Sequence, residues 1–400
     1  MRDRETTVKA SVPSVAAMRS SRVLICGASI AGPALALWLA RYGFEVTVVE
    51  KAASVRAGGQ PVDFKGATHR TVLSRMGILE QVRAAAVGAH DGAIVDARGR
   101  RIGTVPGEFS GGEINVPRGD LASILLERTA PTCEYLFDDV VVSLDQDADG
   151  VDVQLAHGGR RRFDLVVGAD GIHSGTRALA FGPENGFVSH LGYYYAMFSA
   201  VSADDEMYNE PGRMVATSGG DDPAFAVFAS PLLAYDRDDV DQQQRLVVHA
   251  FRGAGWRVPE LMAGLADADY FYFDSISRVS ADRYASGRVV LLGDSAYGNA
   301  LGGFGTGLAI VGAYVLAGEL HRAGGDHAVA FAGYERRFRD YAKVSRKVNA
   351  GRLLAPSTRG GIYLRNRLFS VAPLFAPLMR LSDRFATDIE LVDYEQAGAD

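Results

Sequence analysis

Three short stretches of the sequence place glycines and an acid at the end of an apolar run. The first is Gly27-Ala28-Ser29-Ile30-Ala31-Gly32, after the run Val23-Leu24-Ile25-Cys26. Glycines in a turn from strand to helix allow a tight bend, let an anionic group reach the backbone and let the helix pack close to the strand. The helix start adds unpaired N–H groups and partial positive charge, which suit a pyrophosphate. Ser29 takes the middle position of the G-x-G-x-x-G pattern. Its small side chain still permits close approach, and its hydroxyl can donate to phosphate. Glu50 follows 18 residues after Gly32, where an acid accepts hydrogen bonds from a ribose, and Lys51 lies beside it. A β-α-β turn without ligand explains the glycines but not the placement of the acid.

The second stretch is Gly168-Ala169-Asp170-Gly171-Ile172-His173-Ser174-Gly175-Thr176-Arg177, after Leu165-Val166-Val167. It delivers Asp170 to the carboxyl end of a buried strand, where open α/β sheets bind ligands, with Arg177 within reach of phosphate. Taken alone, Asp-Gly after a strand is a turn signal. The third is Gly293-Asp294, then Gly302-Gly303-Phe304-Gly305-Thr306-Gly307, opening an apolar helix. Such a helix start suits an anion or an electron-rich ring edge. Close helix packing explains the glycines, but neither Asp294 nor the loop.

The elements that must position these turns follow from periodicity. Residues 22–50 read as β-α-β, with a helix from Ile30 to Tyr42 stopped by Gly43 and a strand over Glu45–Glu50. A helical crossover implies a parallel pair. Ala53 to Phe64 reads as a loop, 67–86 as helix, and 91–105 as a hairpin turning near Arg98-Gly99. Pro117 opens a helix to about Thr129. Val140 to Val167 holds three strand-like runs, the third being Phe163 to Val167. Residues 187–279 are aromatic-rich and strand-like, interrupted by a helix over Val258 to Leu265. Val289–Leu292 is a buried strand, followed by helices at about 305–322 and 326–349 and an apolar tail around Phe375.

The reading is therefore α/β. A discontinuous Rossmann-like dinucleotide-binding domain (21–90, 112–180 and 281–330) carries an inserted, mostly antiparallel β-sheet domain suited to a substrate (91–111 and 181–280). A disordered tail (1–20) precedes them and a C-terminal helical segment (331–400) follows. The chain has 400 residues, 48% of them hydrophobic and 22% charged, as in ordinary soluble proteins, with no apolar run long enough to span a membrane. The net charge of −6 disfavours a nucleic-acid partner, which needs clustered lysine and arginine. Two cysteines exclude a disulfide scaffold, and with no secretory signal a cytoplasmic location is expected. The eight histidines show no metal-ligand spacing, and no G-x-S-x-G, H-E-x-x-H or Walker A motif occurs.

A fingerprint near the N-terminus, an Asp-Gly motif mid-chain and a late Gly-Asp motif together resemble the single-component FAD-dependent aromatic monooxygenases of the para-hydroxybenzoate hydroxylase type. The resemblance covers about residues 22–345. Within the family the chain is most similar to tetracycline-inactivating and polyketide-tailoring monooxygenases, of antibiotic biosynthesis or resistance. The residues behind this are Ala31-Gly32-Pro33-Ala34, Gly58-Gly59-Gln60, Arg118-Gly119-Asp120-Leu121 and Gly312-Ala313-Tyr314. The resemblance implies FAD as cofactor and NADPH or NADH as cosubstrate. It implies that Gly27, Ser29, Ile30, Ala31 and Gly32 line the pyrophosphate and that Glu50 and Lys51 lie at the adenosine ribose. Arg118 and Asp170 would contact the cofactor, Asp294 would hold its ribityl-pyrophosphate part, and Gly305, Thr306 and Gly307 would face the flavin. Two positions depart from the family pattern. Ser29 replaces a glycine, and Gly298-Asn299-Ala300-Leu301-Gly302 lacks the usual proline.

The implied activity is hydroxylation or Baeyer–Villiger oxidation of a polycyclic aromatic or polyketide-like molecule by molecular oxygen, through a flavin C4a-hydroperoxide. The flavin drives it, so no catalytic side chain is expected. Tyr195, Arg213, Phe225, Phe228 and His249 are the candidates to line the substrate, although alternating aromatics also build a sheet core. Two other readings stand beside this one: an FAD-dependent oxidase or dehydrogenase without oxygen insertion, and a flavin-bound protein that sequesters its ligand. A flavin halogenase is disfavoured by the absence of its W-x-W-x-I-P signature. The assembly is expected to be a monomer or homodimer.

Overall fold

The computed structural model describes residues 21–55, 61–88, 90–107, 113–202, 204–220, 222–344, 348–370 and 389–395. The N-terminal tail, Gly58-Gly59-Gln60 and the apolar run around Phe375 lie outside these residues. No helix among the described residues is long and apolar enough to cross a membrane. No group of three His, Cys, Asp or Glu among them is placed to hold a metal ion.

Strand β1 (Arg22–Cys26) leads into helix α1 (Ala31–Arg41) and returns as β2 (Glu45–Glu50). Val23, Ile25, Val46 and Val48 point to one face of the sheet, where Leu35, Trp38 and Leu39 of α1 cover them. Gly43 takes φ 87° and turns the chain out of the helix. Next come β3 (Val62–Phe64), α2 (Gly66–Met76) and α3 (Leu79–Ala84). The expected helix over 67–86 is thus two helices, because Gly77 is left-handed at φ 76°. The expected loop over Ala53–Phe64 ends in a strand, since Val62–Phe64 pairs with β6 (Ile114–Val116). The hairpin is β4 (Gly92–Val95) and β5 (Arg101–Val105). Asp96 accepts from the N–H groups of Arg98 and Arg100, which closes its turn.

Helix α4 (Arg118–Thr129) starts after Pro117, and β7 (Glu134–Phe137) extends the main sheet beside β2. Strand β7 is short and mixed in polarity, so periodicity does not show it. Strands β8 (Val141–Gln146), β9 (Val151–Leu155) and β10 (Arg160–Phe163) form a small antiparallel sheet. The run Phe163–Val167 is split between two sheets. Phe163 ends β10, and Leu165 begins β11 (Leu165–Gly168), which pairs with β1. Asp164 marks the break, where it accepts from the N–H of Arg22.

After α5 (Gly175–Phe181) come β12 (Val188–Phe198), β13 (Glu206–Glu210), β14 (Arg213–Thr217), β15 (Ala224–Ala229), α6 (Val240–Ala250), α7 (Val258–Ala263) and β16 (Phe271–Val279). The chain then returns to the first sheet with β17 (Ala285–Ser286) and β18 (Val289–Leu291). It continues with α8 (Asp294–Tyr297), α9 (Gly305–Arg322), α10 (His327–Ala342) and α11 (Ala350–Leu354), and residues 359–370 are also helical.

Two sheets dominate. The first has the order β17-β18-β11-β1-β2-β7, parallel except for β17. The second has the order β16-β12-β15-β14-β13-β4-β5, antiparallel except where β4 meets β13. Helices α6 and α7 cover one face of the second sheet through Val247, Phe251, Val258 and Leu261, against Tyr194, Ala196, Phe198 and Phe228. Helix α6 stands where the aromatic-rich stretch suggested strand. Asp239 caps it by accepting from Gln242 N–H at 2.8 Å, and Val247 buries its apolar side. The opposite face carries Tyr193, Tyr195, Met197, Met207, Met214 and Val227, and packs against Ile172, Ala300 and Leu301.

Candidate functional site

Strands β1, β2, β11 and β18 are parallel and adjacent, so their carboxyl ends share one edge. Gly27, Glu50, Asp170 and Asp294 all follow those ends and converge there. The cradle is tight. Gly27 has φ 109°, and a Cβ on it would lie 2.5 Å from the Ala169 carbonyl oxygen. A Cβ on Gly32 would lie 1.9 Å from the Gly27 carbonyl oxygen. Glu50 accepts from Ala28 N–H at 2.7 Å and Ala52 N–H at 3.0 Å, tying the end of β2 to the glycine turn. Its carboxylate keeps further lone pairs for a ligand hydroxyl. Ile30 and Ala31 are buried at the start of α1, which has neither a capping side chain nor an acid in its first turn. Its unpaired N–H groups are therefore free to meet an anion. Lys51 is exposed and pairs with Asp238 at 2.9 Å.

Arg118 reaches over from the start of α4 and donates to Ser29 Oγ at 3.1 Å. Asp170 accepts from the Ser174 hydroxyl and, at 2.8 Å, from Thr176 N–H, so it fixes the loop that starts α5. Arg177 does not reach out to phosphate. It is fully buried and donates to the carbonyls of Ser295 at 2.9 Å and Ile172 at 2.7 Å. It thus bolts the second turn to the third.

Asp294 is half-buried, and no hydrogen bond from a described residue reaches its carboxylate. Burial pushes its pKa up, and the nearby Arg118 opposes this. Oδ1 sits 3.3 Å from where a Gly305 Cβ would be, so the acid faces the start of α9. Helix α9 also begins without a capping side chain or an acid in its first turn, which holds Thr306. Gly307 answers to a different neighbour. A Cβ there would lie 2.4 Å from the His69 ring. His69 Nδ1 accepts from Lys65 N–H at 3.1 Å, and burial lowers its pKa to about 4. The ring is therefore neutral, and its Nε2–H faces the Tyr341 hydroxyl at 3.3 Å. His69 was not legible as a site residue, because it lies 238 positions from Gly307.

The substrate candidates divide between two faces. Tyr195 and Phe225 share the face turned towards Ala300 and Leu301, with ring centroids 6.1 Å apart. Phe228 lies on the other face, against Phe251 and Tyr194. Arg213 sits opposite Phe228 in the ladder and spends its donors on Glu210 and the carbonyls of Ala250 and Arg252. His249 is exposed on the last turn of α6. The second sheet lies between these three and the acid-lined edge. Tyr272 joins the inner face, with its ring 5.6 Å from that of Tyr195. Alternation along β16 marks Tyr272 and Asp274 as sharing a face, but not which one.

Where the family pattern has a proline, Leu301 adopts φ 58° and Asn299 donates to the Val348 carbonyl at 2.9 Å. The loop is held by side-chain bonding at a conformational cost of about 1–2 kcal/mol. Two uncapped helix starts, a glycine cradle and carboxylates open to ligand hydroxyls fit FAD. Replacing Asp294 with alanine is expected to weaken FAD binding about tenfold, the loss of one hydrogen bond to a charged acceptor. A flavin-absorbance titration of the apoprotein checks this, and an unchanged dissociation constant would remove Asp294 from the cofactor site.

Comparison with known proteins places the chain in a family. The family model described as "FAD binding domain" matches residues 20–332. A flavin-dependent monooxygenase of Legionella longbeachae is 34% identical over 344 residues, covering 82% of this chain and 88% of that protein. The crystal structure of tetracycline destructase Tet(55) superposes with a TM-score of 0.78 at 33% identity, covering 94% of this chain and 99% of that one. Tetracycline destructase Tet(51) gives a TM-score of 0.79 at 29% identity over the same shares. With the parallel sheet, the glycine cradle and the second sheet in place, the chain belongs to the para-hydroxybenzoate hydroxylase type of flavin monooxygenases and is an FAD-dependent monooxygenase.

Proposed function

We propose that the substrate is a polycyclic, phenolic, polyketide-like molecule held between the inner face of the second sheet and the loop Gly302–Gly307. The observation that carries this is the composition of that face. Tyr195, Phe225 and Tyr272 offer flat aromatic surface, and Met197, Met207 and Met214 offer adaptable apolar surface. Such a lining suits a broad fused ring better than a small charged metabolite. The relatives named tetracycline destructases support the same class.

When bound, FAD would supply the redox chemistry, with NADPH or NADH as reductant and dioxygen as oxidant. The protein's part is binding and exclusion of water. The N-terminal turns of α1 and α9 would present N–H groups to the pyrophosphate and to the electron-rich edge of the ring system. Glu50 and Asp294 would accept from cofactor hydroxyls. Arg118 places a positive charge between Ser29, Asp294 and the phenols of Tyr195 and Tyr272. Apolar packing of Ile172, Ala300 and Leu301 against the sheet keeps the reacting face dry.

The test is turnover of tetracycline and of alizarin by the FAD-loaded protein with NADPH under isotopically labelled dioxygen. The expected product is heavier by one labelled oxygen atom. A product without label would favour the oxidase or dehydrogenase reading. Retained FAD with no substrate-stimulated NADPH oxidation would favour the sequestering one.

A further inference from the structure

The start of α9 is gripped from two sides, and only one of them belongs to the glycine-and-acid edge. Asp294 Oδ1 lies 3.3 Å from the Cβ position of Gly305, and the His69 ring lies 2.4 Å from that of Gly307. Two residues along a helix are about 200° apart, so the acid and the imidazole stand on nearly opposite sides of one turn. Gly307 has no positive φ, so backbone conformation does not call for glycine there. The neighbouring ring does. His69 is 5% exposed near the start of α2, with the Phe64 ring edge-on at 5.9 Å. Its two nitrogens are held from different elements. Nδ1 accepts from Lys65 N–H at 3.1 Å, and Nε2–H faces the Tyr341 hydroxyl of α10 at 3.3 Å. An apolar side chain of similar size could fill this space but could not be held at both ends. Bonds at both nitrogens fix the ring in one orientation, and the ring fixes the turn of α9 against which it rests.

We propose that His69 is a positioning residue for the cofactor: it holds the first turn of α9 against the ring edge of bound FAD, and so sets how much more tightly the protein binds reduced than oxidised FAD. The proposal rests on the reading above that α9 opens on that edge. The argument is electrostatic. A helix start carries partial positive charge whose influence falls off within a turn. Reduced flavin carries more negative charge at that edge than oxidised flavin. A turn held close and still therefore favours the reduced form, and a turn free to recede favours it less.

His69 adds no charge of its own, because burial keeps its ring neutral at ordinary pH. The charge that bears on it, Lys65, is paired with Asp63 at 3.0 Å. The influence of His69 is thus exerted through α9, from the side away from Asp294.

The test is the midpoint potential of FAD bound to the full chain without substrate, read from the visible spectrum during slow reduction beside a dye of known potential. His69→Ala should lower the preference for reduced over oxidised FAD about tenfold, a fall of about 30 mV for a two-electron couple. His69→Leu, which keeps much of the bulk but neither hydrogen bond, should lower the potential as well. Tyr341→Phe, which frees one end of the ring, should move it the same way by less. His69→Gln, which can accept at one end and donate at the other, should recover part of the loss. A role in packing alone would lower the melting temperature of His69→Ala and leave the potential unchanged, and that result overturns the proposal. If His69→Ala does not hold FAD, His69→Leu and Tyr341→Phe decide the matter, and wild-type potentials in both overturn it. Thr306→Glu tests the underlying reading separately. A carboxylate in the first turn of α9 should lower the potential or expel FAD from the folded protein. If it does neither, α9 does not open on the flavin. If it does and the His69 variants keep the wild-type potential, only the role of His69 falls.

Discussion

Replacing Gly32 with valine is expected to yield a protein that melts well below the wild type and retains no FAD. A Cβ at this position would sit 1.9 Å from the Gly27 carbonyl oxygen and 3.1 Å from Ile25 Cγ2. The first of these is backbone, and Gly27 is itself pressed against Ala169 and cannot retreat. Relief requires moving α1 off β1. That would open the buried seam made by Leu35, Trp38 and Leu39 and carry the helix N-terminus away from the pyrophosphate. Overpacking of this kind costs about 3 kcal/mol or more, a large part of a domain's total of about 5–15 kcal/mol. Thermal melting and the ratio of flavin to protein absorbance measure both effects. Ser29→Gly, which restores the glycine pattern without adding an atom, should keep its FAD. A Gly32→Val protein with full flavin and an unchanged melting curve would show that the turn is not the cradle.

Glu319→Ala should be the most damaging substitution away from the cofactor. Glu319 is 2% exposed and carries three partners: Arg322 at 2.7 Å, Arg337 at 2.8 Å and the Tyr394 hydroxyl at 2.8 Å. The same carboxylate fills the space left by Gly333 on α10. Removing it strands two guanidinium groups and frees the segment 389–395, whose Tyr394 ring lies on Gly318. Breaking a buried pair costs about 3–5 kcal/mol. Because both arginines reach solvent along part of their length, the expected loss is at the low end, about 3 kcal/mol. The melting temperature should fall by roughly 5 °C, with faster proteolysis of the C-terminal segment. FAD affinity should hold, because Glu319 lies 14 residues along α9 from Gly305, about 20 Å from the cofactor end. A melting temperature unchanged within a degree would contradict the argument.

The glycine turns and acids at the edge of the first sheet were legible in the sequence because their signals are local. A strand, a glycine turn, a helix, a second strand and an acid occur within 29 residues, from Arg22 to Glu50. Parallel crossovers then force Glu50, Asp170 and Asp294 to one edge, since strands running the same way end on the same side. The substrate face was only partly legible. Phe225 and Phe228 are three residues apart in one strand, so alternation places them on opposite faces. It does not say which face meets the cofactor. Arg213 follows Phe228 because the ladder pairs them. The segment around His249 reads as strand in an aromatic-rich neighbourhood, but Asp239 caps a helix there.

The sequence by itself determined the α/β class, the cradle, its acids and the family. Each of these is encoded in backbone conformation and short-range spacing, which a linear pattern carries. Tertiary structure alone decided that Gly307 makes room for His69, that Arg177 is a buried bolt rather than a phosphate ligand, and that Asp274 meets His173 across 101 positions. These outcomes depend on which sheet face turns inward and which side chains then compete for the same space. Packing settles that only once the two sheets and the helices between them are assembled.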